Sequence, residues 1–75
     1  KPAGDPYLLA LKHIDVAPEH AIAVEDTFTG VCAANNAHVH VVAIANHHTV
    51  DHDFSKATYR MKNLDEFWQW VQSQL

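Results

Sequence analysis

The stretch that most constrains this chain is Ala21–Gly30, read AIAVEDTFTG. A short apolar run, Ala21-Ile22-Ala23-Val24, stops at two adjacent carboxylates, Glu25 and Asp26. An apolar run of that length, bounded by polar residues, suits a buried parallel strand. Thr29-Gly30 ahead of Val31-Cys32-Ala33-Ala34 reads as an N-cap and a helix start, although Asp26 and Thr27 are also competent caps. Two acids therefore sit at the carboxyl end of a strand, at the turn into a helix, where open α/β sheets bind ligands. Adjacent carboxylates repel each other unless a cation or hydrogen-bond donors compensate. A hard, oxygen-seeking ion such as Mg²⁺ is the simplest compensation.

The flanking sequence supplies the rest of an α/β pattern. Lys1–Gly4 is a turn, and Asp5-Pro6 opens a helix with Asp5 as N-cap and Pro6 at the first helical position. Tyr7, Leu8, Leu11 and Ile14 form its apolar face, with Lys12 and His13 near its carboxyl end. After the strand Ala21–Val24, a short helix runs from about Gly30 to Asn35, with Asn35-Asn36 as its C-cap. Val39–Ala45 is a second strand, on which His38 and His40 share one face. Phe54–Ala57 forms one helical turn, and Thr58–Met61 is a third, weaker strand. Asp65–Leu75 is the last helix, with Leu64, Phe67, Trp68, Val71 and Leu75 as its buried stripe and Trp70 partly exposed. Strands alternating with helices imply parallel strands and crossover helices. The expected fold is thus part of a Rossmann-like α/β domain: three parallel strands with helices on both faces.

Bulk properties narrow the function classes. Seventy-five residues make at most one small domain, and such domains often need staples. The single cysteine, Cys32, excludes an internal disulfide and reads as a buried, inert thiol. A net charge of −4 argues against a nucleic-acid surface. No apolar run approaches a membrane span and no signal-peptide pattern is present, so the expected location is the cytoplasm. The chain opens Lys1-Pro2 without an initiator Met or a preceding strand, which suggests a piece of a longer protein.

Lys1-Pro2, Asp5-Pro6-Tyr7-Leu8, Val24-Glu25-Asp26-Thr27, Gly30-Val31, Ala33-Ala34 and Val42-Ala43-Ile44, in that order, resemble the haloacid dehalogenase-like hydrolases. The subgroup they most resemble is the β-phosphoglucomutase-like phosphatases and mutases. The resemblance covers residues 1–75 as the C-terminal part of such a core domain. It implies that Lys1 binds the phosphoryl group and neutralises the nucleophile, and that Glu25 and Asp26 form the acidic pair of a Mg²⁺ site. Asp26 would ligate directly and Glu25 through a water. The implied reaction is phosphatase or phosphomutase chemistry on small phosphorylated metabolites through an aspartyl-phosphate.

The chain departs from that family in lacking the strand ending in Asp-x-Asp that supplies the nucleophile. The Ser/Thr motif and the helical cap that selects substrate are also unmatched. Without a nucleophile the covalent route cannot run, so residues 1–75 alone are expected to be inactive and their Mg²⁺ site empty. The open edge of the first strand would leave the fragment to dimerise, to swap, or to associate with the missing part of its own chain. The alternative reading is a non-catalytic, His-rich metal-binding or interaction module. His47, His48 and His52, with Asp51 and Asp53, lie within one loop and are competent ligands for Zn²⁺ or Ni²⁺, but no spacing matches a structural zinc pattern.

Overall fold

The structure is a computed structural model that describes residues 3–75, so Lys1 lies outside the described residues. The elements follow the order α1 (Asp5–Ile14), β1 (Ile22–Glu25), α2 (Phe28–Asn36), β2 (His40–Ala43), β3 (Tyr59–Arg60) and α3 (Leu64–Gln74), with a 3-10 turn at Pro18–His20. The three strands form one parallel sheet in the order β1-β2-β3. This is the expected partial Rossmann-like architecture.

Alternation along the strands divides the sheet into two faces. Ala23, Val41 and Ala43 turn toward one side, where they pack with Leu11 of α1 and with Val31 and Ala34 of α2. Val42, paired in register with Val24 and Tyr59, turns to the other side. There Tyr59 meets Trp70 of α3, with ring centroids 5.2 Å apart. The second face is only partly covered, and Ile22 and Val24 on β1 remain 45% and 39% exposed.

Several boundaries differ from the sequence reading for local reasons. The N-cap of α1 is Gly4, not Asp5, and Pro6 falls in the first turn, where its missing N–H leaves no bond unmade. Of the expected apolar face, only Leu11 is buried and Tyr7 half-buried, while Leu8 and Ile14 face outward. The helix ends where Asp15 adopts a left-handed conformation, with φ 55°. Helix α2 starts earlier than expected because Thr27 is the cap, and its Oγ1 accepts from Gly30 N at 3.0 Å. Asn35 and Asn36 are still helical, and the left-handed residue that follows is His38, φ 62°. His38 therefore lies in a turn, and does not share a strand face with His40.

The three strands are shorter than, or shifted from, their expected spans. Single backbone bonds continue the ladder past their ends, from Thr58 N to Val41 O (2.8 Å) and from Met61 N to Ala43 O (2.9 Å). Phe54–Ala57 is a single hydrogen-bonded turn. In α3 the half-buried side chains are Phe67, Trp70 and Val71; Leu64, Trp68 and Leu75 of the expected stripe are exposed, and it is Trp70 that meets the Tyr59 ring. Asn63 caps this helix by accepting from Glu66 N at 2.8 Å, and Glu66 reaches back to Lys62 N at 2.7 Å, a variant of the capping box. Cys32 is buried in α2, as expected.

Gly4, the N-cap of α1, packs closely against Ala37 at the end of α2. A Cβ at Gly4 would lie 2.9 Å from the backbone nitrogen of Ala37, which is itself fully buried. Backbone cannot yield as a flexible side chain can. Gly4→Ala is expected to destabilise the fold by about 1–3 kcal/mol, read by denaturant unfolding of the intact gene product. A midpoint equal to wild type would show that this approach is looser than the packing implies.

Candidate functional site

Glu25 and Asp26 occupy the carboxyl end of β1, and the register of the sheet decides what they face. The amide of Ile44 donates to the Glu25 carbonyl at 2.9 Å, one step past the last β2 pair. That bond carries Ile44-Ala45-Asn46 alongside the acidic turn. A cleft of about 280 Å³ opens there. Its polar end is Glu25, Asp26 and Asn46, and its walls are Val24, Ile44, Ala45 and Leu64.

The two acids are held by different neighbours. Successive residues leaving a strand point to opposite sides. Glu25 turns to α1, where the Tyr7 hydroxyl donates to its Oε2. Its Oε1 lies over Gly30, and a Cβ on Gly30 would come within 1.9 Å of that oxygen. The glycine thus gives the carboxylate room at the start of α2. Burial first, then the hydrogen bond to Glu25 and that carboxylate's charge, push the Tyr7 hydroxyl well above the ordinary tyrosine range.

Asp26 is exposed, and its Oδ2 accepts from the side-chain amide of Asn46 at 2.9 Å. Each acid therefore has a hydrogen-bond donor of its own, Tyr7 for Glu25 and Asn46 for Asp26. Asp26 lines the cleft, and no hydrogen bond to its other oxygen, Oδ1, is found among the described residues. A Mg²⁺ ion takes one or two carboxylates and keeps several waters, so this hard-oxygen donor set fits one side of such a site. Among the described residues no group of three or more His, Cys, Asp or Glu side chains is arranged to hold a metal ion.

The histidine-rich loop does other work. The Nδ1 of His52 accepts from Phe28 N at 3.0 Å, which pins the loop to the first turn of α2. His47 and His48 stack obliquely on each other, with centroids 3.9 Å apart. Asp53 accepts from the Ser55 amide at 2.9 Å, and this bond, aided by the Ser55 hydroxyl and Lys56, holds its carboxyl below the usual range. The loop residues thus serve the backbone and one another, and do not converge.

Tyr7, Asn46 and His52 contribute bonds that the residue pattern did not assign. Tyr7 reads as one more apolar position of an amphipathic helix, and nothing local ties it to an acid 18 residues away. Asn46 is placed near the cleft rim by its position just after the second strand, but its partner is not legible.

Comparison with known proteins gives concordant findings. A family model described as haloacid dehalogenase-like hydrolase matches residues 1–44. Protein CbbY of Cereibacter sphaeroides is 39% identical over 57 residues, which is 76% of this chain and 25% of that protein. Protein CbbY of Rhodobacter capsulatus is 38% identical over 64 residues, 85% of this chain and 28% of that protein. The chain therefore spans about a quarter of the length of these curated relatives. Crystal structures of CbbY from Rhodobacter sphaeroides, one in complex with xylulose-(1,5)-bisphosphate and one with phosphate, superpose with TM-score 0.83 at 35% identity over 88% of this chain and 29% of theirs.

The Tyr7–Glu25 bond makes a prediction about alkaline stability. The folded state holds the Tyr7 proton more tightly than the unfolded chain does. Its contribution is therefore complete below the unfolded tyrosine value, about pH 10, and is lost as pH rises above it. Tyr7→Phe is expected to cost roughly 1–2 kcal/mol at neutral pH and to flatten the decline in stability above pH ~10, in thermal melts taken across pH. Identical alkaline slopes in the two proteins would show that the bond does not stabilise the fold.

Proposed function

This chain belongs to the haloacid dehalogenase-like hydrolases, and on that premise we propose that it is the metal-binding, C-terminal part of the core of a Mg²⁺-dependent phosphatase or phosphomutase. The observation that carries the reading is the position of Asp26, exposed just past the carboxyl end of a parallel strand and lining a cleft. The substrate class is a small phosphorylated metabolite. A related CbbY crystallised with xylulose-(1,5)-bisphosphate supports that class.

In the proposed mechanism a carboxylate nucleophile attacks phosphorus, the alcohol leaves with the bridging oxygen, and water then cleaves the aspartyl-phosphate. Mg²⁺, when bound, supplies charge neutralisation of the phosphoryl oxygens. Asp26 would hold the ion directly and Glu25 through a water, while Tyr7 and Asn46 keep the two carboxylates apart. Lys1 would pair with the phosphoryl group and the nucleophile. Among the described residues no strand ends in Asp-x-Asp, so the nucleophile, the second-motif hydroxyl and the cap would come from elsewhere in the parent protein. The isolated chain is then catalytically inert.

The reading is tested in the intact gene product with a panel of sugar phosphates. Mg²⁺-dependent phosphate release or phosphoryl transfer is expected, and Asp26→Ala should lower kcat/KM by on the order of 100-fold or more. Activity that survives Asp26→Ala unharmed would remove the basis of the assignment. A companion test concerns the chain by itself. The free edge of β1, beside the exposed Ile22 and Val24, should drive residues 1–75 to self-associate or to rejoin the rest of the parent. A monomeric species that unfolds cooperatively, in sedimentation and melting experiments, would contradict this.

A further inference from the structure

We propose that Asn46 is a positioning residue for the cation site: it selects which oxygen of Asp26 is offered to the metal and holds the carboxylate in that orientation. The inference rests on the reading of Asp26 as a metal ligand and goes beyond it, because it assigns a role to a residue on a different strand's loop.

The assignment follows from what each end of the Asn46 amide touches. Asn46 Oδ1 lies 2.7 Å from the backbone nitrogen of His48. A backbone N–H can only donate, so the end of the amide facing it must be the oxygen. The NH₂ end is then turned to Asp26, where Nδ2 lies 2.9 Å from Oδ2. The amide cannot flip without setting its NH₂ against the His48 N–H and its oxygen against a carboxylate oxygen. Both new contacts would be repulsive.

The backbone of Asn46 is locked as well. Its N–H donates to Thr49 Oγ1 at 3.0 Å, and its carbonyl accepts from Thr49 N at 3.0 Å. Thr49 is the one buried polar residue among those described, so the turn is anchored in the protein interior. Asn46 is thus a fixed donor on a short, rigid turn, held against the acidic turn by the Ile44–Glu25 backbone bond. With Oδ2 holding the Asn46 amide, Oδ1 is the less encumbered oxygen, and the orientation favours ligation through it. A single oxygen suits Mg²⁺, with its strict octahedron, better than a two-oxygen clasp, which suits the larger Ca²⁺.

The test is Mn²⁺ binding to the intact gene product, with free Mn²⁺ followed by electron paramagnetic resonance. Four proteins are compared: wild type, Asp26→Asn, Asn46→Ser and the double variant. Serine keeps an oxygen for the His48 N–H but is too short to reach Asp26. Asn46→Ser is expected to weaken Mn²⁺ binding by about 10-fold or more. The metal-free melting temperature should stay at the wild-type value. The double variant should bind no more weakly than Asp26→Asn, because Asn46 acts only through Asp26.

Wild-type affinity in Asn46→Ser, with affinity lost in Asp26→Asn, would overturn this proposal and leave the metal-site reading standing. Losses that multiply in the double variant would also overturn it, by showing an effect that does not pass through Asp26. Wild-type affinity in Asp26→Asn would overturn both readings together.

Discussion

The hydrogen bond from the Ile44 amide to the Glu25 carbonyl is the joint on which the candidate site depends. It is one rung of a parallel ladder, and its register follows from four preceding Cα pairs, Ile22 with His40 through Glu25 with Ala43. A parallel ladder slipped by one residue would exchange the faces of β1. Ala23 would then leave the core shared with Val31, Val41 and Ala43, and Val24 would have to enter it. Packing of small residues on one face therefore fixes the register, and the register brings the acidic turn and the Asn46 turn together.

The same small residues explain how close the helices lie. Ala34 and Ala37 are fully buried, and Gly4 abuts the backbone at Ala37. At the other end of α2, Gly30 leaves room for the Glu25 carboxylate. The two contacts lie at opposite ends of one nine-residue helix, at its C-cap Ala37 and in its first turn at Gly30. The helix thus couples the core to the site, because its start is capped by Thr27, contacted by His52 and passed by Glu25.

Two neighbouring carboxylates acquire distinct environments this way. Glu25 is half-buried and clasped by a phenol that resists ionisation, so it meets a neutral donor over a wide pH range. Asp26 is exposed and meets the amide of Asn46. Each acid thus has a hydrogen-bond donor of its own. The apolar side chains of Val24, Ile44, Ala45 and Leu64 wall the cleft beside them.

Much of this was legible in the residues. AIAVEDTFTG marked a strand, an acidic turn and a helix start, because burial on a parallel sheet and helix capping leave local signatures. The order of elements, the buried Cys32 and the end of α1 near Ile14 followed from the same signals. The family resemblance rested on those short motifs in that order. Which of several threonines would cap α2, which ring of α3 would turn inward and where His38 would lie were not legible. The ring of α3 depends on Tyr59, a partner only the fold supplies, whereas the Thr27 cap and the His38 turn are local bonds, to Gly30 N and Asn35 O, among several that the residues allowed equally. The tertiary structure alone decided the bonds of Tyr7 and Asn46 to the acids, across 18 and 20 residues of chain. Local patterning selects the elements and places two carboxylates at a strand end. What those carboxylates touch is decided by strand register and helix packing, because residues so far apart in sequence share no local signal.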